Sequence, residues 1–126
     1  MALVVDAGGW IALERGAPDA RARFAWAVRT QELVVTHGGI VGQVWRARGA
    51  RQARLAQALA GARVRALDDA LGKRAGALLA KTGSRDVLDA ALVLMAVDGD
   101  DILTSDPDDL APLARAAGID VDLLVV

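Results

Sequence analysis

The sequence predicts an α/β domain, a three-layer α/β/α sandwich built on a mainly parallel sheet of about five strands. Short apolar runs bounded by turn residues alternate with longer stretches of helical periodicity along the whole chain. The strand-like runs are continuously apolar, as strands covered on both faces are. With 126 residues, 54% of them hydrophobic, the chain can bury one core but not two of ordinary size, so residues 1–126 are read as one domain.

Leu3-Val4-Val5 forms the first strand and ends at Asp6; Gly8-Gly9 then lead into a helix carrying Trp10, Ile11 and Leu13. Pro18 fits the first turn of a second helix, with Phe24 and Val28 on one face. Leu33-Val34-Val35 is the second strand. From Gly39 to about Ala60 two helical stretches are separated by Gly49, with Ile40, Val44, Leu55 and Leu59 as their apolar positions. Val64 to Leu67 makes a third, weaker strand, and Asp68 caps a helix from about Asp69 to Lys81. Thr82-Gly83-Ser84 reads as a helix stop followed by a new cap, which starts the next helix near Arg85 and runs it to Val97. Ile102-Leu103-Thr104 is the fourth strand, Asp106-Pro107 opens a helix to about Ala117, and Val121 to Val126 is the fifth strand.

Composition narrows the function classes. Without cysteine there are neither disulfides nor thiolate metal sites, which fits a reducing compartment. Asp6 and Asp89 interrupt the best apolar stretches, so none reaches the roughly 18 residues needed to span a bilayer. MALVVDAGG has no basic segment before its apolar one and does not read as a signal peptide, so the expected location is cytoplasmic. The net charge of −1 conceals a basic span, Leu33 to Leu67, which has no acid and carries Arg46, Arg48, Arg51, Arg54, Arg63 and Arg65. Such a span suits a phosphate-facing surface or a simple solvated face. A mean hydropathy of +0.32 is high for a small soluble monomer and favours an interface with a second copy or a partner.

Asp6 and Asp106 each stand just past a strand end, where open α/β sheets bind ligands. Read singly, both are helix caps. Asp108 and Asp109 suit plain helix-start charge. Asp89 has no such explanation: it lies about one turn inside an apolar helix, where an unpaired carboxylate costs several kcal/mol or takes up a proton. Asp86, three residues earlier, shares its helix face. Two carboxylates about 4 Å apart repel by roughly 4 kcal/mol near a protein surface, so a shared pocket asks for a cation. Oxygen ligands without cysteine favour Mg²⁺ or Mn²⁺ over Zn²⁺.

The segments VVDAGGWIALE, VTHGGIVGQVWR, DVLDAALVLMA and ILTSDPDDL together resemble a PIN-domain ribonuclease of the VapC toxin type, from prokaryotic toxin–antitoxin pairs. The resemblance covers nearly the whole chain and rests on the order and spacing of the four segments. It implies Mg²⁺- or Mn²⁺-dependent cleavage of RNA, frequent homodimers, and inhibition by a small antitoxin. It also implies that Asp6, Asp89 and Asp106 are catalytic and metal-binding, with Asp86 as the rival to Asp89 on the helix. Thr104 and Ser105 stand where the family can bind water or phosphate, and Arg46, with Arg48 close by, can face RNA or an antitoxin carboxylate. The family's remaining acid is a Glu, whereas this chain has Gln43. A glutamine can offer a carbonyl to a metal or water, but it supplies neither a base nor negative charge. Three readings stay open: weakened activity, compensation by Asp86, or a module that binds RNA or antitoxin without cutting.

His37 is read as a loop residue and Trp10, Trp26 and Trp45 as anchors of the core or of a dimer interface. A phosphoacceptor receiver domain would also gather acids at strand ends. It would require paired acids after the first strand and a late Lys, and this chain has Asp6 alone and no Lys after Lys81.

Overall fold

The computed structural model describes residues 1–126. All five strands are parallel: β1 (Ala2–Val5), β2 (Leu33–His37), β3 (Arg63–Arg65), β4 (Asp101–Thr104) and β5 (Asp122–Val125). Their spatial order is β3-β2-β1-β4-β5. The chain therefore moves outward from β1 to β2 and β3, then crosses back to β4 on the other side of β1 and continues to β5. Right-handed crossovers in opposite directions place their helices on opposite faces of the sheet. One layer holds α1 (Ala7–Arg15), α2 (Pro18–Arg29), α3 (Gly38–Val44) and α4 (Ala50–Ala60). The other holds α5 (Asp69–Thr82), α6 (Val87–Met95) and α7 (Pro107–Ala117). The order reverses between β1 and β4, which opens a crevice beyond their carboxyl ends.

The central strands are buried on both faces: Leu3, Val4, Val5, Ile102 and Leu103 are at most 1% exposed. Ala90, Ala91, Leu92 and Val93 of α6 are fully buried, which accounts for a helix apolar on nearly every side. Two expectations change. Ser84 does not cap α6; Asp86 does, and the helix spans Val87–Met95 rather than 85–97. Its Oδ1 accepts the N–H groups of both Leu88 and Asp89, and its negative charge suits the positive end of the helix. Val28 is 60% exposed, and α2 instead buries Ala20 and Ala27, whose small side chains let it lie close to the sheet.

The acids on the two sides of β4 have different fates. Upstream, Asp100 is buried and accepts the N–H groups of Ala2 and Val97, fastening β1 beside β4. Asp101 receives Arg23, which also grips Glu32 through both guanidinium nitrogens, so α2, the start of β2 and the start of β4 are tied together. Those acids are structural. The downstream acids lie at the crevice.

Candidate functional site

Asp6 follows β1 directly and is 4% exposed. Its Oδ1 caps α1 by accepting the Gly9 N–H at 2.8 Å, and its Oδ2 accepts the Thr104 hydroxyl. The two glycines make this turn possible. A Cβ on Gly9 would lie 2.6 Å from the Leu103 carbonyl oxygen, and one on Gly8 would overlap the Ser105 hydroxyl. The helix can begin hard against β4 only because no side chain intervenes. Burial raises the Asp6 pKa, Asp106 adds to the rise, and the bonds from Thr104 and Gly9 oppose it.

Thr104 is fully buried, and its hydroxyl donates to Asp6 while accepting the Asp106 N–H at 2.9 Å. It is therefore a bridge between the two strand ends, with its hydroxyl engaged on both sides. Ser105 is exposed, with its hydroxyl 3.4 Å from Asp106 Oδ2. Asp106 occupies the cap position of α7, yet its side chain makes no cap bond. Its exposed carboxylate is not committed to the helix, contrary to the cap reading of this residue alone.

Asp89 lies in the first turn of α6, half-buried, rather than a full turn inside it. Its pKa is pushed up to about 7, first by burial and then by Asp86, Asp6, Asp109 and Asp106. It is the acid on which burial and the charges of Asp86, Asp6, Asp109 and Asp106 act together. Asp109 is more than helix-start charge: it stands in the first turn of α7 and borders, with Asp86, Asp89 and Asp108, an open cleft of about 450 Å³. Its i+3 spacing from Asp106 is the sequence signal for a shared face.

The donors are carboxylates, which suit a hard divalent cation, and their mutual repulsion is what such a cation would relieve. No three acid or histidine side chains converge on one point as a ready cage. The acids feel one another through the crevice but must rotate inward to share an ion. Asp106 is exposed and makes no cap bond, so it is free to do so, whereas Asp86 is exposed but held through Oδ1 at the cap of α6.

Gln43 is exposed in the last turn of α3, and no hydrogen bond joins it to the acids. Arg46 turns back on α3, donating to the carbonyl oxygens of Gly42 and Trp45 at 3.2 and 2.7 Å. Arg48 is exposed without such a contact. The buried glutamine is Gln52, whose Oε1 accepts the N–H groups of Arg46 and Ala47 and fixes the loop before α4. Trp10 is in the core, edge-on to Phe24, whereas Trp26 is 52% exposed beneath Arg29.

His37 is no loop residue. It ends β2 fully buried, and its Nδ1 accepts the N–H groups of Gly39 and Ile40, capping α3. With Nδ1 an acceptor, Nε2 carries the proton and donates to the Leu88 carbonyl at 2.9 Å. Burial lowers its pKa, consistent with this neutral form. The imidazole thus ties the start of α3 to the turn that carries Asp86 and Asp89.

No family model matches the sequence, and no curated protein matches it. Among solved structures, the chain is similar to one in the crystal structure of VapBC2 from Rickettsia felis bound to a DNA fragment from their promoter. The TM-score is 0.71 over 98% of each chain. The fold is that of a PIN domain. At 9% identity the likeness lies in the backbone path. Within this PIN fold the reversal between β1 and β4 brings Asp6 and Asp106 side by side, and α6 supplies Asp89 across the crevice.

Proposed function

We propose that this chain is a metal-dependent endoribonuclease, the toxin of a toxin–antitoxin pair, with Asp6, Asp89 and Asp106 as its catalytic, metal-holding acids and Asp86 and Asp109 in support. The observation that carries this reading is the coupling of five acids at the sheet's switch point, with Asp89 held near neutrality. Asp6, fixed by Gly9 and Thr104, supplies a rigid carboxylate; Asp89 gives up its proton when positive charge arrives; exposed Asp106 closes on the same side. Mg²⁺ or Mn²⁺ held by these acids would supply a water of lowered pKa and a Lewis acid for a phosphoryl oxygen. Ser105, exposed beside Asp106, can donate to a substrate phosphate. Arg48 is freer than Arg46 to meet RNA.

The similarity to a chain of a VapBC2 complex supports an antitoxin as partner. The exposed side chains of Trp26, Val28 and Leu33 leave apolar surface for that partner or for a second copy in a homodimer. No helix is long and apolar enough to cross a membrane, and the proposed site of action is the cytoplasm. A second reading, a PIN module that binds RNA or antitoxin without cutting, is favoured by Gln43 and by the open arrangement of the acids.

RNA cleavage with and without divalent metal decides between them. Wild type should cut only with Mg²⁺ or Mn²⁺, and Asp6→Asn should lose on the order of 100-fold or more. Gln43→Glu should tighten metal binding and raise the rate. Equal cleavage by wild type and Asp6→Asn would remove the proposed site, and metal-independent RNA binding with no cleavage would establish the second reading.

A further inference from the structure

A groove of about 340 Å³ runs from the acid site along the outer face of α1. Gly8 and Ser105 form its near end, Ile11, Ala12 and Val126 line its middle, and Arg15 stands at the far end. Gly8 and Arg15 are about 10 Å apart along the helix axis, at 1.5 Å per residue. The near end is continuous with the proposed site, since Ser105 lies against both Gly8 and Asp106.

The far end is cationic. Arg15 is exposed in the last turn of α1, and Arg54 donates to the Glu14 carbonyl at 2.9 Å. A Cβ on Gly16 would lie 2.8 Å from Arg54 Nη1 and 3.9 Å from Arg21 Cδ, but Arg21 and Arg54 line a separate cavity with Leu13 and Phe24, so of these three arginines Arg15 is the one on the groove. None has a carboxylate partner: the ion pairs are Arg23 with Glu32 and Asp101, and Lys73 with Asp69. An unpaired guanidinium group beyond an apolar trough matches a single strand of nucleic acid, whose bases rest on apolar surface while its phosphates meet cations. The acid end repels such a strand unless a cation is present, whereas the Arg15 end attracts it.

We propose that this groove carries the single-stranded RNA flanking the scissile phosphate, with Arg15 as the first phosphate contact outside the acid site. The proposal rests on the ribonuclease reading above. It assigns the groove a register-setting role: the acids act on one phosphate and Arg15 holds a neighbouring one.

The test is binding of a fluorescent single-stranded RNA oligonucleotide to the full chain without divalent metal, titrated with salt, together with cleavage in Mg²⁺. Arg15→Ala should weaken binding about 3- to 10-fold and Arg15→Glu more. The salt slope should fall by about 0.7, the share of a single phosphate on a single strand. In cleavage Arg15→Ala should raise KM more than it lowers kcat. Arg63→Ala, on the edge strand β3, should change neither. If Arg15→Ala and Arg15→Glu keep wild-type affinity and salt slope while wild type cuts RNA, the groove assignment is overturned and the nuclease reading stands. If wild type neither binds nor cuts RNA, both fall.

Discussion

A carboxylate that folding half-buries and sets among four others holds its proton more tightly, and Asp89 carries the consequence. Its folded-state pKa of about 7 stands above the ordinary 3.8, so the folded chain binds this proton more tightly than the unfolded one. Stability therefore falls as pH rises from about 4 to about 7. Asp89→Asn should match wild type near pH 4. At pH 8 it should be more stable by on the order of 1–2 kcal/mol, about 3–8 °C in Tm, a figure discounted for its partial exposure. Thermal unfolding at the two pH values measures the gap, and an equal gap at both would refute the coupling. His37 makes the opposite kind of contribution. His37→Ala leaves the Leu88 carbonyl and two helix N–H groups without their partner and should cost about 2–3 kcal/mol in urea denaturation. His37→Asn restores the cap of α3 but not the reach to Leu88, so it should fall in between.

Whole elements are placed by polar ties that span the sheet. Arg23 joins α2 to Glu32 and Asp101, whose side chains are only 6% and 16% exposed. Arg23→Met would leave two largely buried acids facing each other, and a loss of about 3–4 kcal/mol is expected. Raising salt should recover little of it, because a buried repulsion is poorly screened; full recovery in salt would show the tie to be a surface one. At the other end of the sheet, Gly9→Ala would push a methyl group into the Leu103 carbonyl and move α1 away from β4. A cost above about 2 kcal/mol is expected, with the Asp6 carboxylate displaced as well. A crystal structure or chemical-shift map of the variant checks the displacement.

At the scale of the whole molecule, the proposed metal site would link metal binding to folding. Since the proposed ligands gather only when the sheet forms, a cation held by them would bind the folded chain in preference to the unfolded one. Mg²⁺ or Mn²⁺ at about 100 times its Kd should stabilise the fold by roughly 2.7 kcal/mol. The gain, read as a metal-dependent rise in Tm, should be absent in Asp89→Asn. An equal rise in that variant would place the cation elsewhere.

Fold class and the order of strands and helices were legible because each rests on local pattern. Continuous apolar runs such as Leu3-Val4-Val5, the stop at Gly83, and Pro107 after Asp106 act within a few residues. Asp89 stood out for a related reason, since a carboxylate leading into so apolar a helix is unusual, although it proves to lie in the first turn of that helix. What each polar group does was not legible, because hydrogen-bond partners lie far away in the chain. Thr104 is consumed by Asp6, and His37 reaches Leu88. Asp86 takes the cap that Ser84 was expected to fill, and Asp106 leaves its own cap unmade. Sequence by itself determined which residues form strands and helices and which acids stand at strand ends. Only the tertiary structure, by reversing the sheet between β1 and β4, decided that Asp6 and Asp106 share a crevice with Asp89. Strand order is set by which apolar faces bury together, and that is a property of the assembled core rather than of any segment.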